Sequence, residues 1–374
     1  MKKKGEEKMR NLSKQDLHDI LKGCTILGTG GGGSLEEGLE LVDKALADGK
    51  EFKLVDLDEV PDEGLVISPY MCGSISPVTE EQEKKYSSLP RIKEEQTLRA
   101  FKALEDYLEK EIYGVISCEL GGGNTAEALY VGAVMGRAIV DGDPAGRSLP
   151  ELQQSTFFIN GITIDPVAVA NEFGDVAVFT SVVDDFRAEV LIRALAVVSN
   201  NAVGVAGHMA EGSKLKKSVI PGAITYAMDI GRAHRKAKSE GTEPAMAIGG
   251  ALLFRGKVKQ YEWRDEAGFT YGEVHLDGYG DYSGSNYRVW FKNENIMTWK
   301  DGKVDVTVPD LVCIFDDQRG EPVINPYYQK GMPLTVIGLP AAKEWRNPRG
   351  LELLSPRAFG FDLDYVPIES KYSL

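Results

Sequence analysis

The chain has 374 residues, 43% of them hydrophobic and 27% charged, with a formal net charge of −14 at pH 7. That length predicts two domains or three, and the acidity lacks the basic footprint that nucleic-acid binding needs. The composition excludes general disorder, and no run of about 18 apolar residues marks a membrane span.

Residues 1–10 hold five basic and two acidic side chains and no apolar stretch, so they read as a disordered tail rather than a secretory signal. A helix is predicted over 11–23, with Ser13 as cap and Gly23 as stop, followed by a short apolar strand-like run at 25–27. The glycine run 30–33 comes next, then a helix from Ser34 to about residue 48. Strands are predicted at 52–57 and 64–68, and a charged amphipathic helix at 93–110. The strand 114–119 ends in a second glycine run, 121–123. A helix over 125–136 and a strand at 138–140 lead to Asp141-Gly142-Asp143. A strand at 176–183 and helices at 186–200 and 223–238 continue the texture. From Ala251 to Phe315 short alternating runs separated by Gly, Asp and Asn replace it. These elements predict a three-layer α/β domain with a mostly parallel sheet over 11–245. A β-rich domain, barrel- or sandwich-like, follows over 246–374.

Three turns share one construction. Ser34-Leu35-Glu36-Glu37, Asn124-Thr125-Ala126-Glu127 and Ser148-Leu149-Pro150-Glu151 each fit a capping box, and each is expected to open a helix just after a strand. Free amides at such helix starts, beside glycines that allow close approach, bind anions and carbonyl oxygens. Gly30, Gly31, Gly32, Gly33, Gly121, Gly122, Gly123 and Asn124 are therefore candidate substrate-binding residues, with Arg147 as a clamp for a carboxylate. Glu119, Asp141 and Asp143 end predicted strands and are candidate catalytic carboxylates. Cys72 is a candidate nucleophile or soft ligand. His208, in a glycine-flanked apolar run, is a candidate base or, with Asp141, a metal ligand; zinc is the favoured ion. The other histidines, His18, His234 and His275, read as surface or packing residues. No closed zinc motif or paired CxxC exists among Cys24, Cys72, Cys118 and Cys313, which points to reduced thiols and a cytoplasmic protein.

Gly28-Thr29-Gly30-Gly31-Gly32-Gly33 also satisfies the G-x-G-x-x-G spacing, with Asp56 and Asp58 further on. A dinucleotide-dependent oxidoreductase is the alternative this offers, and a non-catalytic small-molecule binder is another.

In order and spacing, several segments resemble the S-methylthiohydantoin desulfurase family. They are Leu27 to Gly33, Pro77-Val78-Thr79-Glu80, Glu119 to Asn124, Asp141 to Arg147 with Pro150-Glu151-Leu152, Asn293-Glu294, Val308-Pro309-Asp310-Leu311, and Pro356 to Gly360. The resemblance implies an α/β N-terminal domain, a β-rich C-terminal domain, and hydrolysis of a five-membered cyclic (thio)hydantoin or similar amide. The segment from Met71 to Pro77 departs from the family pattern in a loop expected to border the pocket. The partner expected is a small-molecule substrate, with no organic cofactor, nucleic acid or membrane; a homo-oligomer is the default expectation.

Overall fold

The computed structural model describes residues 9–73 and 79–374. Among them the N-terminal sheet has nine strands. These are β1 (Arg10–Asn11), β2 (Lys53–Asp56), β3 (Leu65–Gly73), β4 (Gly114–Val115), β5 (Ala138–Asp143), β6 (Val167–Ala170), β7 (Val176–Phe179), β8 (Ala202–Glu211) and β9 (Ile220–Pro221). They are ordered β1-β2-β5-β4-β3-β8-β6-β7, with β9 on β5. β2, β5, β4 and β3 pair in parallel and β6 runs with them, while β1, β7, β8 and β9 run the opposite way. The sheet is mixed with mostly parallel strands, as the alternation of strands and helices predicts.

Successive residues of a strand face opposite sides. Leu54, Ile67 and Ile139 enter the core built with the helices Lys14–Leu27, Leu35–Ala47, Gln96–Leu108, Gly122–Met135 and Ala223–Glu240. Their neighbours Val55, Val66 and Val140 pack on the other face with Phe157, Ile162 and Leu215. Burial on both faces explains why these strands read as apolar runs.

The C-terminal sheet is antiparallel throughout: β10 (Ala251–Glu266), β11 (Phe269–Gly278), β12 (Asn286–Lys292), β13 (Glu294–Lys300), β14 (Lys303–Thr307), β15 (Leu311–Asp316), β16 (Glu321–Pro322) and β17 (Pro333–Leu339). Its order is β14-β13-β12-β11-β10-β17-β15-β16. Tyr287, Val289 and Phe291, at alternate positions of β12, share its core with Phe254, Val274 and Val336. One sheet gives way to the other between Ala247 and Ala251.

Four local expectations need correction. The helix Lys14–Leu27 does not stop at Gly23, and the run 25–27 is its last turn rather than a strand. A Cβ on Gly23 would sit 1.7 Å from the Ala227 carbonyl oxygen, and one on Gly231 would sit 1.9 Å from that of Asp19. These glycines let two helices touch backbone to backbone. The second capping box is not one: the helix Gly122–Met135 is capped by Gly121, and Asn124 lies inside its first turn. No helix opens at Ser148, whose hydroxyl donates to the Leu120 carbonyl, 2.8 Å. Of the expected tail, residues 1–8 lie outside the described residues, whereas Arg10 belongs to β1.

Candidate functional site

A cleft of about 700 Å³ lies where the two sheets meet. Tyr70, Met71 and Cys72 of β3 form one wall, Cys118, Glu119 and Asn124 the floor, and Asn293 and Glu294 the C-terminal side. Its volume suits a small organic ligand.

Glu119 follows β4 and is 7% exposed. Its Oε1 accepts from Asn124 Nδ2 at 2.7 Å, and its Oε2 from the Leu149 amide at 2.8 Å. Asn124 Oδ1 in turn accepts from the Met71 amide at 2.9 Å, so β3, the loop after β4 and the helix start are tied together. Burial raises the Glu119 carboxyl to about 7, against the opposing pull of those hydrogen bonds and of Arg147 and Arg193.

Glu294 opens β13 after a one-residue turn at Asn293, whose φ of +56° suits asparagine. Asn293 is held by its amide on the Thr270 carbonyl, 2.7 Å, and by its Oδ1 on the Thr270 amide, 2.8 Å. The Glu294 carboxylate lies against Gly31, where a Cβ would stand 1.9 Å from Oε1. Its Oε2 is buried without a hydrogen-bond partner among the described residues. Burial pushes this carboxyl well up, the charge of Glu119 pushes it further, and Arg147 and Arg193 pull against both. The two carboxyls thus titrate as a pair, each disfavouring the other's charge. The Tyr70 hydroxyl, also on the cleft, is a second buried polar group without a partner among the described residues.

The glycine runs serve the seam between the domains rather than a free anion cradle. The Gly32 carbonyl accepts from the amides of Gly123, 2.9 Å, and Asn124, 3.1 Å, which occupies the helix start. A Cβ on Gly32 would lie 2.4 Å from Gly121 Cα, so side chains are impossible where the loops cross. The Thr29 and Gly30 carbonyls accept from the amides of Asn295 and Asn325, each at 2.8 Å. Gly32 and Gly33 reach the cleft; Gly30, Gly31, Gly121, Gly122 and Gly123 lie behind it. Because a helix precedes residues 28–33, the strand–turn–helix context of a dinucleotide loop is absent there.

Arg147 is not placed to clamp a ligand. It is 1% exposed, and its guanidinium donates to the carbonyls of Ser148, Asn295, Pro309 and Asp310 and to Thr29 Oγ1, at 2.8–3.2 Å. It bolts the domains together and sets a buried positive charge near the carboxylate pair. Asp141 points away from the cleft: Oδ1 accepts from the Thr225 amide, 3.0 Å, and Oδ2 from Arg10, 3.0 Å, at the start of the helix Ala223–Glu240. Both Asp143 oxygens accept from the Gly146 amide, at 2.8 and 3.0 Å, in its own turn; burial raises this carboxyl to about 8.

Cys72 and Cys118 line the cleft, but burial pushes the Cys72 thiol up to about 12 and Cys118 well up, which keeps both protonated near neutral pH. Cys24 and Cys313 are core residues. His208 lines the cleft; His18 pairs with Asp43, His275 with Glu273, and His234 with the Gly320 carbonyl. His208 and Asp141 have separate partners. Among the described residues no group of three or more His, Cys, Asp or Glu side chains is arranged to hold a metal ion. Among the described residues, His208 and Asp141 do not come together as the expected zinc ligands. Residues 74–78, which include most of the loop that departs from the family pattern and Pro77-Val78, lie outside the described residues.

Glu294, Tyr70 and Arg193 carry no signal of their own in the sequence. Glu294 stands in the Asn293-Glu294 segment quoted for the family resemblance, yet nothing local links it to Glu119, 175 positions earlier. Only the docking of the two domains does.

Fold and site together define a two-domain protein, mixed α/β and antiparallel β, with a carboxylate pair buried between the domains. The S-Me-THD-like N-terminal domain matches residues 15–181, and the S-Me-THD-like C-terminal domain matches residues 183–368. The chain belongs to this S-methylthiohydantoin desulfurase-like family. A search of curated proteins finds no match. Among solved structures, the chain is similar to a protein from Chromobacterium violaceum determined by X-ray crystallography. The two share 22% identity and a TM-score of 0.76 over 96% of this chain and 100% of the other, a likeness of fold. No helix among the described residues is long and apolar enough to cross a membrane.

Proposed function

We propose that the chain is a hydrolase of hydantoin-like five-membered rings, S-methylthiohydantoins foremost, with Glu119 and Glu294 as the proton-exchanging pair. One observation carries this reading: two carboxyls of raised proton affinity line one cleft, and one keeps an oxygen without a partner among the described residues. Such a pair holds one proton near neutral pH, so it offers a base and an acid together. Family membership supports the choice of ring.

The ionised carboxyl takes a proton from water as the water oxygen bonds to the thioimidate carbon. The protonated one gives its proton to sulfur as the carbon–sulfur bond breaks. Methanethiol leaves, and the hydroxyl remaining on the ring carbon is a tautomer of the hydantoin. With a plain hydantoin the same pair adds water to a ring carbonyl carbon. The carbon–nitrogen bond breaks there, and the proton goes to nitrogen. The Tyr70 hydroxyl is a donor for a ring oxygen as negative charge develops on it.

The test is release of methanethiol from an S-methylthiohydantoin, followed with a thiol reagent, with and without a chelator. Glu294→Gln should lower kcat by roughly 10²–10⁴-fold while the protein stays folded. Absence of both turnover and calorimetric binding with either ring would overturn the reading; tight binding without turnover favours a non-catalytic binding protein. A rate lost to the chelator and restored by zinc would bring the expected metal into the reaction.

A further inference from the structure

A second polar assembly faces the same cleft and has no part in the chemistry above. Between the β3–β8 pairs Val66–Ala210 and Ser68–Gly207, one residue of β3, Ile67, faces two of β8, His208 and Met209. Such a bulge re-aims side chains and is common beside active sites. His208 takes the extra position with φ +49°, a left-handed conformation that costs a non-glycine residue energy and persists where the surroundings impose it. The surroundings do impose it. The His208 amide donates to the Ile164 carbonyl at 3.1 Å, and the ring stacks on Phe157 with centroids 5.1 Å apart.

His208 Nε2 lies 2.9 Å from Oδ2 of Asp185, a residue with 0% exposure. Asp185 Oδ1 accepts from the Ile164 amide, 3.1 Å, so the carboxylate is fixed on both oxygens. A carboxylate on one ring nitrogen orients the imidazole and directs the other nitrogen to act as acceptor. That other nitrogen, Nδ1, has no partner among the described residues, and the residue lines the cleft.

We infer that His208, oriented by Asp185, is a catalytic residue of this cleft, exchanging a proton with the bound ring at Nδ1. The inference deepens the hydrolase reading and rests on it for the identity of the ring. After methanethiol leaves, Nδ1 accepts the proton of the ring hydroxyl and returns it to the adjacent ring nitrogen. The O–H bond breaks, the N–H bond forms, and no other reactant is consumed. Asp185 is a positioning residue that touches no ring atom.

Two measurements test this separately from the hydrolase reading. The first is labelling by diethyl pyrocarbonate with peptide mapping, which needs no substrate. His208 should be labelled in the wild type, more slowly in Asp185→Asn, and less when an S-methylthiohydantoin is present. A His208 that stays unlabelled while His18 and His275 react overturns the inference. The second is turnover by His208→Gly, whose glycine accepts the left-handed backbone. Its kcat should fall by roughly 10²–10⁴-fold and recover on addition of imidazole. A folded His208→Gly protein working at the wild-type rate overturns the inference. A wild type inactive on both rings sinks the hydrolase reading instead, and labelling then decides whether His208 presents its nitrogen to the cleft.

Discussion

β4 and β5 are adjacent parallel strands, and acidic residues follow or end each of them, but the two sets have different fates. Glu119, beyond β4, shares the cleft with a second carboxyl whose Oε2 is without a partner among the described residues. Asp141 and Asp143, at the end of β5, have their oxygens taken by Thr225, Arg10 and the 144–146 turn. A carboxylate at the end of a parallel strand is therefore a poor guide to chemistry by itself. What distinguishes the two sets is unspent hydrogen-bonding capacity beside a cleft, since a buried polar atom without a partner costs free energy unless a ligand or water meets it.

The largest effect expected within this comparison comes from Arg147, the buried cation near the carboxyl pair. Arg147→Met leaves four carbonyls and a hydroxyl without their donor and removes the positive charge that offsets Glu119 and Glu294. A loss of roughly 3–5 kcal/mol in unfolding free energy is expected by denaturant titration. A change below 1 kcal/mol would show that the interdomain bolt is dispensable.

A smaller and pH-dependent effect is expected at Glu119. Its folded-state value, about 7, lies above the ordinary 4.5. Its contribution to stability is therefore full below pH 4.5 and is lost as pH rises through 7, by up to about 3 kcal/mol. Asp143 and Glu127 slope the same way, so the informative quantity is the difference between wild type and Glu119→Gln at pH 5 and pH 8. The variant should lose less stability on going to pH 8. Equal losses would remove Glu119 from the raised pair.

Asp141→Asn should do least: about 1 kcal/mol of stability for its contacts with Arg10 and Thr225, and unchanged turnover per folded molecule. A hundredfold fall in kcat with an intact melting profile would put Asp141 back among the catalytic residues and dissolve the contrast.

The fold was largely legible because periodicity and turn chemistry are local: alternating strands and helices marked the α/β sheet, and the shift near residue 245 marked a β-rich part, which the structure shows as one antiparallel sheet. Glycines misled where their reason was contact rather than conformation. Gly23 resembled a helix stop, yet it serves the approach of a helix some 200 residues later. The site was half legible. Glu119, Cys72, Asn124 and His208 stand out locally and line the cleft, whereas Arg147 stands out equally and is fully engaged between the domains.

The sequence by itself determined the two-domain architecture, the family, and a short roster of polar residues near glycine turns, since all of these rest on spacing along the chain. Only the tertiary structure paired Glu119 with Glu294, set His208 on Asp185 through a bulge, and satisfied Asp141 and Arg147 elsewhere. The physical reason is that a candidate site here is marked by which buried groups are left without partners among the described residues. That follows from how two distant stretches of backbone dock, not from either stretch alone.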